Sequence, residues 1–374
     1  MPRALLLILD SVGCGAAPDA EKYGDQGADT LAHILAKCPQ TQIPTLKKLG
    51  LAQLLGSSEP NQASFAILSP QSVGKDTTSG HWELAGAILE RAFATFERFP
   101  AELVGEIETA TGVRFIGNLA ASGTEILEKL GAESVASGSP ILYTSADSVL
   151  QIAAHETHFG LAKLLEICEI TRQIADKWQI GRVIARPFVG ENGVWTRTAN
   201  RRDFSIAPPR TVLDALREHG IPTIGIGKIS DIFAGRGLSQ SHPTKSNAQG
   251  METITARWKS GEQGLFFANL VDFDSLFGHR RDVSGYALAL QTFDTWLAGF
   301  LPQIRPDDLV IITADHGNDP TFPGTDHTRE NVPCLLIHQN RRENLGHRAT
   351  FADVSATIAA FFEVPWSVGT PLEA

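Results

Sequence analysis

The chain has 374 residues, 43% hydrophobic and 20% charged, which suits one large or two ordinary folded domains and excludes wholesale disorder. Its formal net charge of −10 argues against a nucleic-acid partner, which selects a basic surface, but leaves anionic small molecules open, since local Arg clusters or metals outweigh a global charge. The cysteines, Cys14, Cys38, Cys168 and Cys334, form no CxxC pair, so neither a zinc ribbon nor a disulfide framework is expected and a reducing cytoplasm is the simplest compartment.

The first element is the apolar run Ala4 to Leu9, which stops at Asp10. It is too short for a secretory signal and is followed by no small-residue cleavage site. No apolar stretch reaches the roughly 18 residues of a membrane span, so no membrane association is expected. A continuous apolar run of this length reads as a parallel strand buried on both faces. Ala28 to Lys37 then has helical spacing. After an amphipathic stretch, Thr211 to His219, further strands are expected at Ile221 to Ile226, Leu265 to Val271, Leu309 to Thr313 and Val332 to Ile337. Helices are expected over Tyr286 to Leu301 and Ala352 to Phe362. Alternation of this kind predicts an α/β fold with a doubly wound, mostly parallel sheet.

The middle of the chain, 93–209, mixes helical segments (Ala101 to Thr111, Gly160 to Trp178) with short strands (Pro140 to Thr144, Arg182 to Ala185). It reads as a smaller α+β domain inserted into a discontinuous core, 1–92 and 210–374.

Three of the predicted core strands run into Asp or His. Asp10 ends the first. Asp272, Asp274 and His279 follow the third in VDFDSLFGHRRD, and Asp315 and His316 follow the fourth, with Asp319, Asp326 and His327 in the next loop. Ligands of open α/β sheets bind beyond the carboxyl ends of the strands, so these groups are expected on one rim. A lone Asp at a strand end is commonly a cap or a turn former, and Asp10 alone does not decide the matter. The ensemble does: clustered carboxylates call for a divalent cation, and mixed Asp and His ligation suits zinc, manganese or iron better than calcium. Six such ligands fit two metals better than one. Asp319 and Asp326 sit in Pro- and Gly-containing turns and are read as turn formers.

VGKDTTSGHW, Val73 to Trp82, lacks the glycine spacing of a phosphate-binding P-loop. It offers three consecutive hydroxyls, Thr77, Thr78 and Ser79, ahead of a helix expected to begin near Trp82. Such a hydroxyl is either an ordinary N-cap or a nucleophile facing free backbone N–H groups that favour a phosphoryl group.

Together LLILDSVGCGAAPDA, GKDTTSGHWE, LVDFDSLFGHRRD and TADHGNDPTFPGTDHTRE resemble the phosphopentomutase family of the alkaline phosphatase superfamily. YTSADSVLQIAAHE, GRVIARPFVGENGVWTRTANRRD and IGKISDIFAG resemble the same family, in the same order. The resemblance implies an alkaline phosphatase type core with two manganese ions and an inserted cap. Position by position, it implies one metal on Asp274, His279 and His327 and another on Asp10, Asp315 and His316. Thr77 would be the bridging, phosphorylated nucleophile, and Asp272 a supporting or structural group.

It further implies Ser145, Asp147, Arg186, Arg201 and Lys228 as contacts to pentose phosphate substrates, and a sugar bisphosphate as activator. The implied reaction interconverts ribose 1-phosphate and ribose 5-phosphate, or their 2-deoxy forms, through a pentose bisphosphate. Hydrolysis by a phosphatase or phosphodiesterase of the same superfamily is the alternative, and a non-catalytic sugar-phosphate sensor a further one. The chain departs from the family where Leu119 and Ala120 replace a usual Lys-Pro, and in AILERAFATFERFP. Both departures lie in or beside the expected cap.

Overall fold

Strand β1 (Arg3–Leu9) is buried along its whole length, as a central strand covered on both faces must be. In the computed structural model, which describes residues 2–145 and 148–372, the chain divides into two units, Met1–Arg91 with Pro208–Ala374, and Ala92–Ala207. After β1 come β2 (Ser64–Leu68), then β3 (Ile116–Ala120), β4 (Ile141–Thr144), β5 (Val149–His155), β6 (Arg182–Glu191), β7 (Val194–Arg197) and β8 (Arg202–Ser205) in the smaller unit. The larger unit resumes with β9 (Thr223–Ile226), β10 (Gln240–His242), β11 (Gly264–Leu270), β12 (Leu309–Thr313), β13 (Val332–Ile337) and β14 (Asn344–Arg348).

The larger unit is an α/β domain on a doubly wound sheet ordered β10-β9-β11-β1-β12-β13-β2-β14. From β10 to β12 every pairing is parallel, and β13 runs against both its neighbours. Register positions the strand ends. Leu9 pairs with Leu270 and Ile8 with Thr313. Two residues further along, the same register sets Asp10 beside Asp315. Side chains remote in sequence thus meet because parallel strands carry equal offsets to one edge.

The structure corrects one boundary. The helix expected near Trp82 is Thr77–Leu84. Asp76, not a hydroxyl residue, is its N-cap, its carboxylate accepting from Thr78 N and Ser79 N at 3.0 and 3.1 Å. Thr77 therefore lies in the first turn rather than ahead of the helix. One side-chain oxygen of Asp76 thus satisfies two of the N–H groups that the first turn leaves without a helical partner.

In the smaller unit the strands run β3-β4-β5-β6-β7, with β8 paired to the first half of β6. Alternate residues serve opposite faces. Leu142, Ile152 and Val183 pack with Leu103, Leu164 and Ile167 of the helices Ala101–Thr111 and Leu161–Ala175. Ile141, Tyr143, Ala153 and Phe188 pack with Ile126 and Leu127 of the helix Gly123–Ser137.

Candidate metal centre

Asp10, Asp315 and His316 are all buried just beyond β1 and β12. His316 Nε2 lies 3.4 Å from Asp10 Oδ1 and 3.3 Å from Asp315 Oδ2. Asp274 is held in the short helical turn Phe273–Gly278 after β11. His279 Nε2 is 3.1 Å from Asp274 Oδ2 and 3.1 Å from His327 Nε2, and His327 Nε2 is 3.4 Å from Asp274 Oδ1. The two trios adjoin through His316, whose ring centroid is 4.0 Å from that of His327. His316 also groups with Asp274 and His327, all ligand atoms within 4.8 Å of one another. It belongs to the trio with Asp10 and Asp315 and also reaches the other.

This donor set fits a cation. The Nδ1 atoms of His316 and His279 face the carbonyls of Gly317 and Thr325, at 3.0 and 2.7 Å. A carbonyl only accepts, so both Nδ1 atoms carry the proton and both Nε2 lone pairs face the cluster, as metal-binding imidazoles require. Asp10 Oδ1 and Asp315 Oδ2 are buried without a hydrogen-bond partner, a costly condition that a cation relieves. Burial and the nearby Asp315 carboxylate push the Asp10 carboxyl above its ordinary value. Burial opposes charge on His316 too, but Asp315 and Asp10 raise its imidazole well above the usual range. At Asp274 burial is outweighed by the adjacent His279 and His327 imidazoles, which hold the carboxyl far below its ordinary value.

Thr77 Oγ1 sits 3.2 Å from His316 Nε2. Ser79 instead donates its hydroxyl to Asp76 O at 2.8 Å. Gly80 makes the approach of this helix feasible: a Cβ there would lie 2.0 Å from Asp315 O. His81, one turn after Thr77, donates Nδ1–H to Thr77 O at 2.9 Å. That commitment explains why Asp315 Oδ2, only 3.0 Å from the same nitrogen, stays unpartnered. On its other side His81 Nε2 accepts from Asn269 Nδ2 at 2.8 Å, and that amide also donates to Asp10 Oδ2 at 3.1 Å. Ser11 adopts φ 70°, a strained value for a non-glycine residue, and so donates its N–H to Asp315 Oδ1 at 3.1 Å.

Two buried residues tie the loops together. The Glu330 carboxylate accepts from Thr30 N (2.9 Å), Thr30 Oγ1 (2.7 Å) and Thr328 Oγ1 (2.6 Å). A Cβ on Gly13 or Gly317 would come within 2.3 or 2.4 Å of it, so it reaches the segments after Asp10, His316 and His327. Burial pushes its carboxyl up to about 7. Arg329 donates to the carbonyls of Pro70, Ser72 and Gly74 and pairs with Asp19 at 2.9 Å, pinning the segment before Thr77.

A family model described as the metalloenzyme superfamily matches residues 2–365. A phosphopentomutase of Caldanaerobacter subterraneus subsp. tengcongensis is 49% identical over 381 residues, 99% of this chain and 97% of that protein. One from Syntrophotalea carbinolica is 48% identical over 378 residues, 98% and 96% of the two chains. The chain belongs to the phosphopentomutase family, within the metalloenzyme superfamily. It is thus an enzyme of the isomerase class. Likeness to solved structures bears on the fold alone. A Leishmania mexicana phosphoglycerate mutase, determined at low cobalt concentration, superposes with a TM-score of 0.53 at 12% identity, covering 99% and 97% of the two chains. A Pyrococcus horikoshii protein gives 0.52 at 12% identity, covering 99% of both. No helix among the described residues is long and apolar enough to cross a membrane.

The family's remaining positions lie as follows. Lys228 is exposed just after β9, at the end of a strand parallel to β11 and hence on the rim that carries the cluster. In the smaller unit Ser145 is half-buried at the end of β4. Asp147 lies outside the described residues. Arg186, on β6, donates Nε–H to Gln151 Oε1 at 2.9 Å; burial, then Arg201, lowers its guanidinium from the ordinary value. Arg201 makes two hydrogen bonds of 2.6 Å to Asp203.

Asp272 stands apart from the cluster, exchanging hydrogen bonds with Asn247 at the start of the helix Asn247–Lys259. Asp319 accepts from Thr321 N, as a turn former does, and also from Asp29 N and His33. Asp326 accepts from His327 N at 2.8 Å. Asn318 donates to Asp274 Oδ1 at 2.7 Å. Sequence reading passes over His81, Asn269, Asn318 and Glu330. Only His81, at helical spacing from Thr77, and Asn269, a lone amide in an apolar strand, leave a readable trace.

Proposed function

We propose that the chain interconverts ribose 1-phosphate and ribose 5-phosphate, and their 2-deoxy forms, through phosphorylated Thr77 and a pentose bisphosphate. The observation that carries this reading is the Thr77 hydroxyl 3.2 Å from His316 Nε2, on the first turn of a helix that abuts six converging Asp and His side chains. Asp274, His279 and His327 hold one divalent metal and Asp10, Asp315 and His316 the other, with manganese the ion of choice. When bound, the metals supply positive charge to the transferring phosphoryl group and acidify the Thr77 hydroxyl.

The chain's own groups do the rest. His81 and Asn269 fix the orientation of Asp10 and the Thr77 turn, and the helix N-terminus favours an anion at Thr77. Phospho-Thr77 gives its phosphoryl group to a sugar hydroxyl, and the bisphosphate returns its other phosphoryl group to Thr77. A sugar bisphosphate primes the enzyme by the same route. Arg186 and Arg201 suit bidentate phosphate contacts, Lys228 offers a further cation, and Ser145 and Asp147 suit sugar hydroxyls. The compartment is the cytoplasm.

Incubation with ribose 1-phosphate and manganese tests the reading. Ribose 5-phosphate is the expected main product, with phosphate on Thr77 in peptide mass spectra. Inorganic phosphate as the main product would assign a phosphatase instead. Thr77→Ala is expected to abolish turnover while metal content persists; an active variant would move the nucleophile elsewhere.

A further inference from the structure

The two ligand trios are not equally enclosed. Asp10, Asp315 and His316 are each no more than 3% exposed, whereas the His279 side chain is 40% exposed. His327 follows a loop, Thr321 to Asp326, that is exposed apart from half-buried Phe322. A loop of this kind lacks the burial that fixes a core side chain, so the placement of His327 depends on polar tethers. His279 Nδ1 reaches Thr325 O at 2.7 Å, and Lys75 Nζ comes within 3.5 Å of Asp326 Oδ2. Arg281 adds a fork.

Arg281 lies two residues past His279, and its guanidinium bonds to both sides of this trio. Nε–H donates to Gly324 O at 2.5 Å and Nη2–H to Asp326 O at 3.0 Å, on the loop that leads to His327. Nη1–H donates to Gly278 O at 3.0 Å, on the turn that carries Asp274, and to Asn318 Oδ1 at 2.5 Å. Asn318 Nδ2 in turn donates to Asp274 Oδ1 at 2.7 Å. A guanidinium only donates, so it claims the Asn318 oxygen and leaves the amide NH₂ for Asp274. A flipped amide would set donor against donor and acceptor against acceptor.

The backbone at Arg281 is strained to the same end. Asp282 N bonds Phe277 O and Arg281 N bonds Gly278 O, each at 3.0 Å. This paired pattern closes a helix end at a residue that is ordinarily glycine. Arg281 holds the position at φ 56°, a left-handed conformation that a residue with a Cβ adopts at a cost. Glycine would close the same turn without strain but could not join the two segments.

We infer that Arg281 is a positioning residue of the Asp274, His279 and His327 metal site, and sets its affinity through the Asn318 amide and the carbonyls of the His327 loop. The inference rests on the two-metal reading above and adds a residue outside both ligand sets. Charge and positioning make opposite demands here. Asp319, Asp326 and Asp274 all act electrostatically on Arg281, so the guanidinium lies close to a site for a cation, and like charges repel. By charge alone, removing Arg281 tightens metal binding; by positioning, its removal weakens it.

The test strips the full chain with chelator and titrates it with manganese, counting the free ion by electron paramagnetic resonance. His327→Ala marks which of the two bound ions belongs to this site. In Arg281→Ala and Arg281→Gly the affinity for that ion is expected to fall about 10- to 100-fold, the other ion staying within threefold of wild type. Chelated Arg281→Gly is expected to melt above chelated Arg281→Ala, since glycine relieves the strained φ, yet to bind metal no better. Affinity that is unchanged within threefold, or tightened, in both variants overturns the inference. So does equal weakening of both ions, and so does recovery in Arg281→Gly, which would make metal binding follow stability. Wild type that holds fewer than two ions overturns the two-metal reading and the inference with it, whereas wild type with two ions and indifferent variants overturns the inference alone.

Discussion

Gly80→Ala sets helix propensity against packing. In a helix interior alanine is favoured over glycine by about 1 kcal/mol, so on propensity alone the variant is more stable. The surroundings reverse the sign. The new Cβ would meet Asp315 O at 2.0 Å, Asp315 C at 2.7 Å and Asp315 Cβ at 2.9 Å, none of them the mobile end of a side chain. Relief to an ordinary 3.4 Å contact moves the Thr77 helix or the Asp315 strand end by more than an ångström. Overpacking of this kind costs about 1–3 kcal/mol, so the net loss is about 0–2 kcal/mol and the melting temperature falls by a few degrees at most. Activity suffers far more. Thr77 and Asp315 lie on the two sides of that contact, and a misplacement of about 1 Å costs about 100-fold in rate. Steady-state kcat/KM for the ribose 1-phosphate to ribose 5-phosphate reaction, with melting curves and metal content alongside, provides the assay. A Gly80→Ala enzyme within threefold of wild type in kcat/KM, or one that is stabilised, would refute the reasoning.

Asn318→Ala removes the amide that orients Asp274 and is itself held by Arg281 at 2.5 Å; metal affinity is expected to fall about 10- to 100-fold, and an unchanged metal-activation curve would contradict this. Chelation is expected to lower the melting temperature and divalent metal to restore it, since ligand at about 100 times its Kd contributes about 2.7 kcal/mol; an identical melting temperature with and without metal counts against the centre. For Glu330, burial pushes the folded-state carboxyl from 4.5 up to about 7, so its contribution is full below the unfolded value and is lost as pH rises through about 7. In metal-free protein Glu330→Gln, which stays neutral, is therefore expected to gain stability relative to wild type from about pH 5 to pH 8, by up to about 3 kcal/mol; a difference that does not vary with pH would exclude this account.

What could be read from the sequence, and what could not, follows from how each residue reaches the centre. Asp10, Asp315 and His316 are covalent continuations of β1 and β12, strands buried on both faces. Such strands show as unbroken apolar runs, and parallel register then fixes where their ends go. Asp274, His279 and His327 follow from turns just past the same edge. Short β2 and polar β14 escape notice because neither has a long apolar run, although β2 completes the sheet beside β13. The start of the Thr77 helix is misplaced because Thr, Ser and Gly are weak helix formers, while the deciding contact, Gly80 against Asp315, is tertiary. Glu330 is the extreme case. Nothing around it in GTDHTRENVP distinguishes it from a solvent-facing acid, and its role arises only because Thr30 lies 300 residues away in sequence but within hydrogen-bonding distance. Ligands anchored to strand ends inherit a position that patterning can forecast. The residues that hold those ligands still depend on pairings between distant loops, so the centre's geometry, unlike its composition, had to be seen in three dimensions.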